Sequence, residues 1–361
     1  MKRLLSAFLS LLLIFLCVPA VSAVNYNGFV YELNDNGTYT ITGYVDFYEE
    51  LVSIPPQIDG IDVTAIGNGA FQHKTNINTV RIPATVTTIG SMAFYGCKNM
   101  ISAVIGEGVT SIGSKAFNSC TSLTGVNLRN VQIVGEYAFY GCTRLTEFFC
   151  GNALKVIGAN AFSKCTALDY IKMCDTLIYI GDAAFSHCEA LTSLKFPDSL
   201  GYIGNSAFLG CIGLTEISFG SGELQIESYA FESCTALTAV TIPQNVISVG
   251  RYAFGIRETY SNEFSHNITI ICNLNSAAFN YAKLYDAPVY VTELDKTISL
   301  FGDVNEDGII DTADAVLTLR VAAGQQYPFS DEMLFLSDFN NNGMTDTADV
   351  RIILRKAAGQ M

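Results

Sequence analysis

The chain has 361 residues, 50% of them apolar and 15% charged, with 34 acidic against 20 basic side chains and a net charge of −14. That apolar content excludes global disorder. The acidic balance excludes nucleic acid and an anionic membrane surface as partners, because both need a basic footprint. With three histidines and no tryptophan, histidine-dependent chemistry has few candidates and a sugar cleft built on indole platforms has none.

In chain order, Met1-Lys2-Arg3 precede an apolar run from Leu4 to Val18 and a small-residue end at Val21-Ser22-Ala23. This reads as a secretory signal over residues 1–23, cut before Val24. The run is shorter than the ~20 residues a spanning helix needs, and no stop-transfer charge follows. The expectation is a secreted, extracellular protein with no membrane insertion. Residues 24–60 read as an N-terminal capping hairpin, with Phe29 to Tyr44 folding about Asn34-Asp35-Asn36-Gly37.

From residue 60 an Ala-Phe dipeptide recurs, with Phe at 71, 94, 117, 139, 162, 185, 208, 231, 254 and 279. The intervals are 22 or 23 residues until the last, which is 25. Five residues before the Phe stands a branched apolar residue (Ile66, Ile89 and Ile112 begin the column), followed by Gly except at Glu227 and Asn275. Six residues after it stands Leu or a relative, from Ile77 and Met100 to Leu237. Such a unit cannot bury its own apolar face, so neighbours stack into a solenoid with a continuous core. The segment Leu191 to Pro197 and its counterparts predict short strands ended by Pro83, Pro197 and Pro243. The predicted fold over residues 61–291 is a leucine-rich-repeat solenoid of short strands and turns or short helices. The unit after Phe254, with its Arg257 to His266 insertion, serves as the C-terminal cap.

The Ile-Gly-x-x-Ala-Phe-x-x-Cys run resembles the BspA-type (treponemal) leucine-rich repeats, over about residues 60 to 280. The resemblance implies extracellular adhesion or ligand binding, and names a scaffold without naming a target. Seven cysteines lie three residues after the Phe: Cys97, Cys120, Cys142, Cys165, Cys188, Cys211 and Cys234. They read as small buried apolar residues. A Cys150–Cys174 bridge between adjacent turns is open, since pairing depends on geometry. His187-Cys188 is the only adjacent pair hinting at thiol catalysis, and a ladder cysteine is the wrong place for it.

After a linker at 292–301 a second repeat begins, offset by 35 residues. The first copy offers Asp303, Asn305, Asp307, the Ile309 carbonyl, Asp311 and Asp314; the second offers Asp338, Asn340, Asn342, the Met344 carbonyl, Asp346 and Asp349. Oxygens at loop positions 1, 3, 5, 7, 9 and 12, with Gly308 and Gly343 at position 6, are what a seven-coordinate calcium requires. Two Ca2+ are therefore expected, with the first loop tighter because it carries four carboxylates against three. Position 12 is Asp where an EF-hand has Glu, and no entering helix precedes Asp303. These are loop-plus-exit-helix halves.

Doubled, this pattern resembles a type I dockerin over residues 302–361, a small all-α calcium-binding domain of paired F-hand loop-helix motifs. The resemblance implies a partner, the cohesin module of a cellulosome-type scaffoldin. It also implies contact residues: Thr312-Ala313 and Thr347-Ala348 after loop position 9, then Leu319-Arg320 and Leu354-Arg355 along the helices. The function expected is non-catalytic docking onto a scaffold, with the solenoid gripping an unknown protein or polysaccharide ligand. A free adhesin or a regulator of other components is the alternative. A glycoside hydrolase fits less well, because no carboxylate pair stands apart from the repeat columns. The outward column ten after the Phe, including Phe149, Lys172 and Lys195, is the face on which a ligand would be sought.

Overall fold

The computed structural model describes residues 24–45, 49–255, 268–284, 287, 289–291, 304–305, 311–323, 337 and 345–357. The signal segment 1–23, the Arg257 to His266 insertion and the linker 292–301 lie outside the described residues. Each repeat closes one turn and contributes two short strands, so the turns stack through two parallel ladders. The first ladder runs β3 (Tyr39–Tyr44), β6 (Ile61–Ile66), β8 (Thr88–Ile89), β10 (Ser111–Ile112), β12 (Ile133–Val134), β14 (Val156–Ile157), β16 (Tyr179–Ile180), β18 (Tyr202–Ile203), β20 (Leu224–Ile226) and β22 (Val246–Val249). Register follows the repeat, with Ile66 opposite Ile89 and Ile157 opposite Ile180.

The second ladder holds the strands predicted from the Leu191 to Pro197 type of segment. It begins with β4 (Leu51–Ser53), β7 (Thr79–Arg81), β9 (Ser102–Val104), β11 (Gly125–Leu128), β13 (Glu147–Cys150) and β15 (Tyr170–Lys172). It resumes as β17 (Ser193–Lys195) paired with β19 (Glu216–Ser218), and again as β21 (Ala239–Ile242) with β23 (Thr269–Cys272) and β24 (Val289–Val291). Alternation in these strands is strict: Val80, Leu194 and Val240 point inward, between exposed or half-exposed neighbours.

Between the ladders lies one core, and its spine is aromatic. Phe71, Phe94, Phe117, Phe139, Phe162, Phe185, Phe208, Phe231 and Phe254 stack ring on ring, with consecutive centroids 4.9 to 5.3 Å apart and planes within 13° of parallel. Burying each ring contributes up to about 3 kcal/mol, and stacking about 1 kcal/mol more. The backbone keeps the same step. The Phe94 amide donates to the Ala116 carbonyl at 2.7 Å, and the equivalent bond recurs from Phe71 to Phe231.

The glycine column has a cause other than a turn conformation. A Cβ on Gly113 would lie 2.7 Å from the carbonyl carbon of Gly90, and one on Gly181 would lie 2.7 Å from the Ala159 nitrogen. The preceding turn occupies the space, so close approach of backbone demands the missing side chain. Where Glu227 stands in that column, the pairing of β20 with β22 shifts register between Leu224 and Gln225.

The left-handed conformations fall elsewhere. Two residues before the Phe, Met92, Lys115, Tyr137, Asn160, Ala183, Ser206, Tyr229 and Tyr252 all have φ between 51° and 61°. Non-glycine residues pay for that conformation, and the ladder bonds around them hold it.

Both ends are sealed. At the start, β1 (Val24–Tyr26), β2 (Phe29–Leu33) and β3 form an antiparallel meander, turning at Gly37 with φ 78°. Tyr44 and Phe29 set their rings 5.4 and 6.3 Å from Phe71. At the other end Phe279, counted in the sequence as a tenth repeat, sits instead in helix α1 (Ala277–Leu284). The Ser276 hydroxyl accepts the Phe279 amide and starts the helix. From that helix Tyr281 places its ring edge-on to Phe254 and its hydroxyl oxygen 3.1 Å from the Phe254 amide. It accepts the bond that a further turn would have taken.

No helix among the described residues is long and apolar enough to cross a membrane. Two neighbouring substitutions should move stability in opposite directions. Gly181→Ala should destabilise by about 1–3 kcal/mol, as overpacking does. Ala183→Gly, two residues on, should stabilise by up to about 1 kcal/mol by relieving its left-handed backbone. Denaturant midpoints of the two variants check both signs.

Candidate functional sites

The cysteine column is the first place to look for chemistry. Each ladder thiol is buried and donates to the carbonyl of the Phe one turn back, from Cys97 to Phe71 at 3.1 Å through Cys234 to Phe208 at 3.3 Å. A cysteine therefore fills a small apolar space and satisfies a buried acceptor at once. Burial pushes the thiols of Cys97, Cys165 and Cys211 up to about 12, and those of Cys120, Cys142, Cys188 and Cys234 well above the ordinary value. Thiolate is the reactive form, so this column is inert. His187 is exposed while Cys188 faces inward to the Phe162 carbonyl, and the two do not form a nucleophile with its base.

Cys150 and Cys174 are joined in a disulfide with Cα atoms 5.5 Å apart, tying β13 to the end of β15. That settles a pairing the sequence left open.

The outward column ten after the Phe is exposed throughout, from Arg81 to Thr241. In its middle the second ladder is interrupted: β15 pairs with β13 and β17 with β19, and β15 shares no ladder with β17. A groove of about 680 Å³ opens there, lined by Tyr170, Lys172, Asp175, Ser193, Lys195 and Glu216 among others. Tyr170 is 52% exposed, and Phe149, opposite Lys172 in the pairing of β13 with β15, is 40% exposed. Neither lysine makes an ion pair with another described residue. Hydrogen bonds from Ser221 hold the Asp198 carboxyl below its ordinary value, and nearby Lys195 adds a smaller pull in the same direction.

The second candidate is C-terminal. Of the twelve expected metal ligands, Asn305, Asp311, Asp314, Asp346 and Asp349 fall among the described residues. Asp303, Asp307, Ile309, Asp338, Asn340, Asn342 and Met344 lie outside them. Among the described residues no three acidic, His or Cys side chains converge as a metal site. The two halves are nonetheless built alike. Helix α2 (Thr312–Ala322) is capped by Asp311, whose carboxylate accepts the Ala313 amide at 2.6 Å. Helix α3 (Thr347–Ala357) repeats this, with Asp346 accepting the Ala348 amide at 2.6 Å.

Asp314 is fully buried and turned back into its loop, accepting the amides of Val304, Asn305 and Asp311 at 2.7, 3.1 and 2.8 Å. Asp349 is fully buried too and accepts the Asp346 amide at 2.9 Å. A buried carboxylate needs compensating positive charge or donors, and two at matching positions fit loops that hold cations. The two helices pack together, with Val304, Ala315 and Ile353 at the centre of their small core.

All eight expected contact residues are exposed: Thr312, Ala313, Leu319, Arg320, Thr347, Ala348, Leu354 and Arg355. Leu319 and Leu354, 48% and 43% exposed, leave matching apolar side chains outside that core.

The family model for the BspA type leucine rich repeat region matches residues 64–192 and 178–297, in six copies. No curated protein matches the chain. Among solved structures, a leucine rich repeat protein from T. pallidum is 26% identical, with 59% of this chain and 90% of that one covered at a TM-score of 0.45. One from Bacteroides ovatus is 22% identical, covering 70% and 89% at 0.40. The pneumococcal vaccine antigen PcpA is 14% identical, covering 75% and 98% at 0.37.

The thiol column makes an alkaline prediction. Its pKa values are higher in the fold than in the open chain, so the folded state holds more protons between the two values and loses stability as pH rises. Stability should be level below pH 9 and fall progressively toward pH 12, the range set by an ordinary thiol's 9.0 and the value of about 12 reached by Cys97, Cys165 and Cys211. Urea titrations across that range check it. Thiol-specific alkylation at pH 8 should label the seven ladder cysteines only after denaturation.

Proposed function

The chain belongs to the BspA type leucine rich repeat family, and on that premise we propose that it is an exported, non-catalytic binding protein anchored to a scaffold through its C-terminal helices. The observation that carries this reading is the doubling at residues 302–361. Packing requires Asp314, Ala315, Asp349 and Ile353 to turn inward. It does not require Thr-Ala and Leu-Arg to recur at exposed positions of both helices, as they do at Thr312-Ala313 with Leu319-Arg320 and at Thr347-Ala348 with Leu354-Arg355. A surface repeated where folding is indifferent is a recognition surface. On its resemblance to a type I dockerin, the partner we propose is a cohesin module of a scaffoldin.

Two Ca2+ would be held by Asp303, Asn305, Asp307, Asp311 and Asp314 with the Ile309 carbonyl, and by Asp338, Asn340, Asn342, Asp346 and Asp349 with the Met344 carbonyl, and would supply positive charge to those carboxylates. The chain's own contribution is to hold each exit helix in register with its loop, through the caps at Asp311 and Asp346. The Cys150–Cys174 disulfide supports an oxidising, extracellular setting. It agrees with the signal-like residues 1–23.

The test is a calorimetric titration of the mature chain with cohesins, first in calcium and then in chelator. Tight binding abolished by chelator is the expected result, and Asp307→Asn should weaken calcium at the first site selectively. Binding to no cohesin would leave a free secreted adhesin as the function.

A further inference from the structure

We propose that the edge of the solenoid formed by the Ala-Phe turns is self-complementary and pairs this chain with a second, antiparallel copy of itself. The edge is an ordered surface. Two residues after the Phe, the amides of Gly141, Lys164 and His187 donate to the carbonyls of Ser163, Ser186 and Leu209 on the next turn, at 2.9, 2.8 and 2.7 Å. Charge along it is divided by position. Between the glycine and leucine columns, the five turns from Phe71 to Phe162 carry five cations (Lys74, Lys98, Lys115, Arg144 and Lys164) against one carboxylate, Glu136. The next three turns, from Phe185 to Phe231, carry Asp182, Glu189, Glu227 and Glu232 and no Lys or Arg. Glu232 is buried, which leaves the other three accessible. The buried leucine column ends the edge before Glu147 and Asp169. An anionic polymer laid along this edge would be held by one half and repelled by the other. A parallel copy would set like charges together. The same edge reversed satisfies both halves at once.

The side chains fix the register. A two-fold axis in the plane of the edge, between the turns of Phe162 and Phe185, inverts the order of turns and keeps each column opposite its own. Lys164 then faces His187, with Glu189 two residues further along the same turn. One turn outward, Tyr140 faces Leu209, both half-buried, and Ile212 beside Leu209 is 47% exposed. Two turns outward, Lys115 faces Tyr229, with Glu227 alongside. Arg251, the cation of the following turn, falls on the column of Ser91 and away from that of Lys98. The interface thus places an apolar pair between two pairs of opposite charge. Lys98, Lys115, Arg144, Lys164, Asp182 and Glu189 make no ion pair with another described residue. Lys164 and Lys115 are already held, their Nζ atoms 5.4 and 5.6 Å from the ring centroids of Tyr140 and Tyr137, so pairing costs them less side-chain freedom. The six turns from Phe117 to Phe231 make a strip roughly 29 Å long at one strand spacing each. Exposed ion pairs contribute little singly, so the dimer is weak and sensitive to salt.

The experiment is sedimentation equilibrium of the full chain over a range of protein and salt concentrations. A monomer–dimer equilibrium that weakens as salt rises is expected. Lys164→Glu and Glu189→Lys should each weaken it by roughly tenfold or more, because either reversal sets like charges together at two symmetric contacts. An equimolar mixture of the two variants should recover the association, since every reversed charge then meets its opposite. Both side chains are exposed, so thermal midpoints should stay unchanged and confirm that the variants fold. A wild-type chain that stays monomeric, association that salt does not weaken, variants that still associate, or a mixture no stronger than either variant alone would each overturn the proposal. So would a monomer whose basic half captures poly-glutamate, which would give that half to an anionic partner. The pairing goes beyond scaffold attachment and lies in the solenoid alone. Chelator should therefore leave the dimer intact while abolishing cohesin binding, and loss of the dimer in chelator would move the contact to the C-terminal helices and overturn the proposal.

Discussion

The fold depends on one spacing: each turn of chain must lie a single strand's width from the next, about 4.8 Å. Nothing larger than hydrogen fits where Gly90, Gly113, Gly135, Gly158, Gly181 and Gly204 pass the turn before them. The same step brings consecutive phenylalanine rings to 4.9–5.3 Å, inside the range of offset stacking. It also sets each ladder thiol 3.1–3.3 Å from the carbonyl of the Phe one turn back. Glycine, phenylalanine and cysteine thus answer one geometric demand in three ways. The left-handed residues before each Phe are its cost, spread over many turns.

A structure held this way is quasi-one-dimensional, and its ends and irregularities decide what it can do. Ends need closing groups, which Tyr44 and Tyr281 supply with aromatic rings and, at Tyr281, with a hydroxyl that replaces the missing acceptor. Irregularities open the surface. The second ladder loses its pairing between β15 and β17, and there the groove forms, next to the disulfide that ties β15 to β13. The C-terminal helices follow different physics, since their core is small and their buried carboxylates are held by backbone amides.

Much of the solenoid was legible because its columns repeat: the phenylalanine, leucine and cysteine positions that the spacing predicts to be inside are inside. The first ladder was harder to read, because strands as short as Thr88–Ile89 are too brief to show alternation. The glycine column was visible, but its reason was not; a turn and a close approach leave the same residue behind. Phe279 misled because an Ala-Phe dipeptide is a weak signal alone. Without glycine and a β-branched residue before it, and with Ser276 poised as a cap, the segment is a helix start. The groove was half legible. Phe149, Lys172 and Lys195 share a column that spacing identifies, whereas Tyr170 and Glu216 lie on the neighbouring outward column and join them only when the ladder opens.

The stacked turns should hold themselves together independently of the acidic C-terminal repeats. Residue-resolved hydrogen exchange on the calcium-loaded and chelated chain tests it most directly. Amides of the phenylalanine column from Phe94 to Phe231, which bond the next turn, should exchange slowest and at the same rate in both conditions. Those of Val304, Asn305, Asp311 and Asp346, which bond buried or capping carboxylates, should lose protection in chelator. Loss of protection along the phenylalanine column together with the C-terminal amides would contradict that independence.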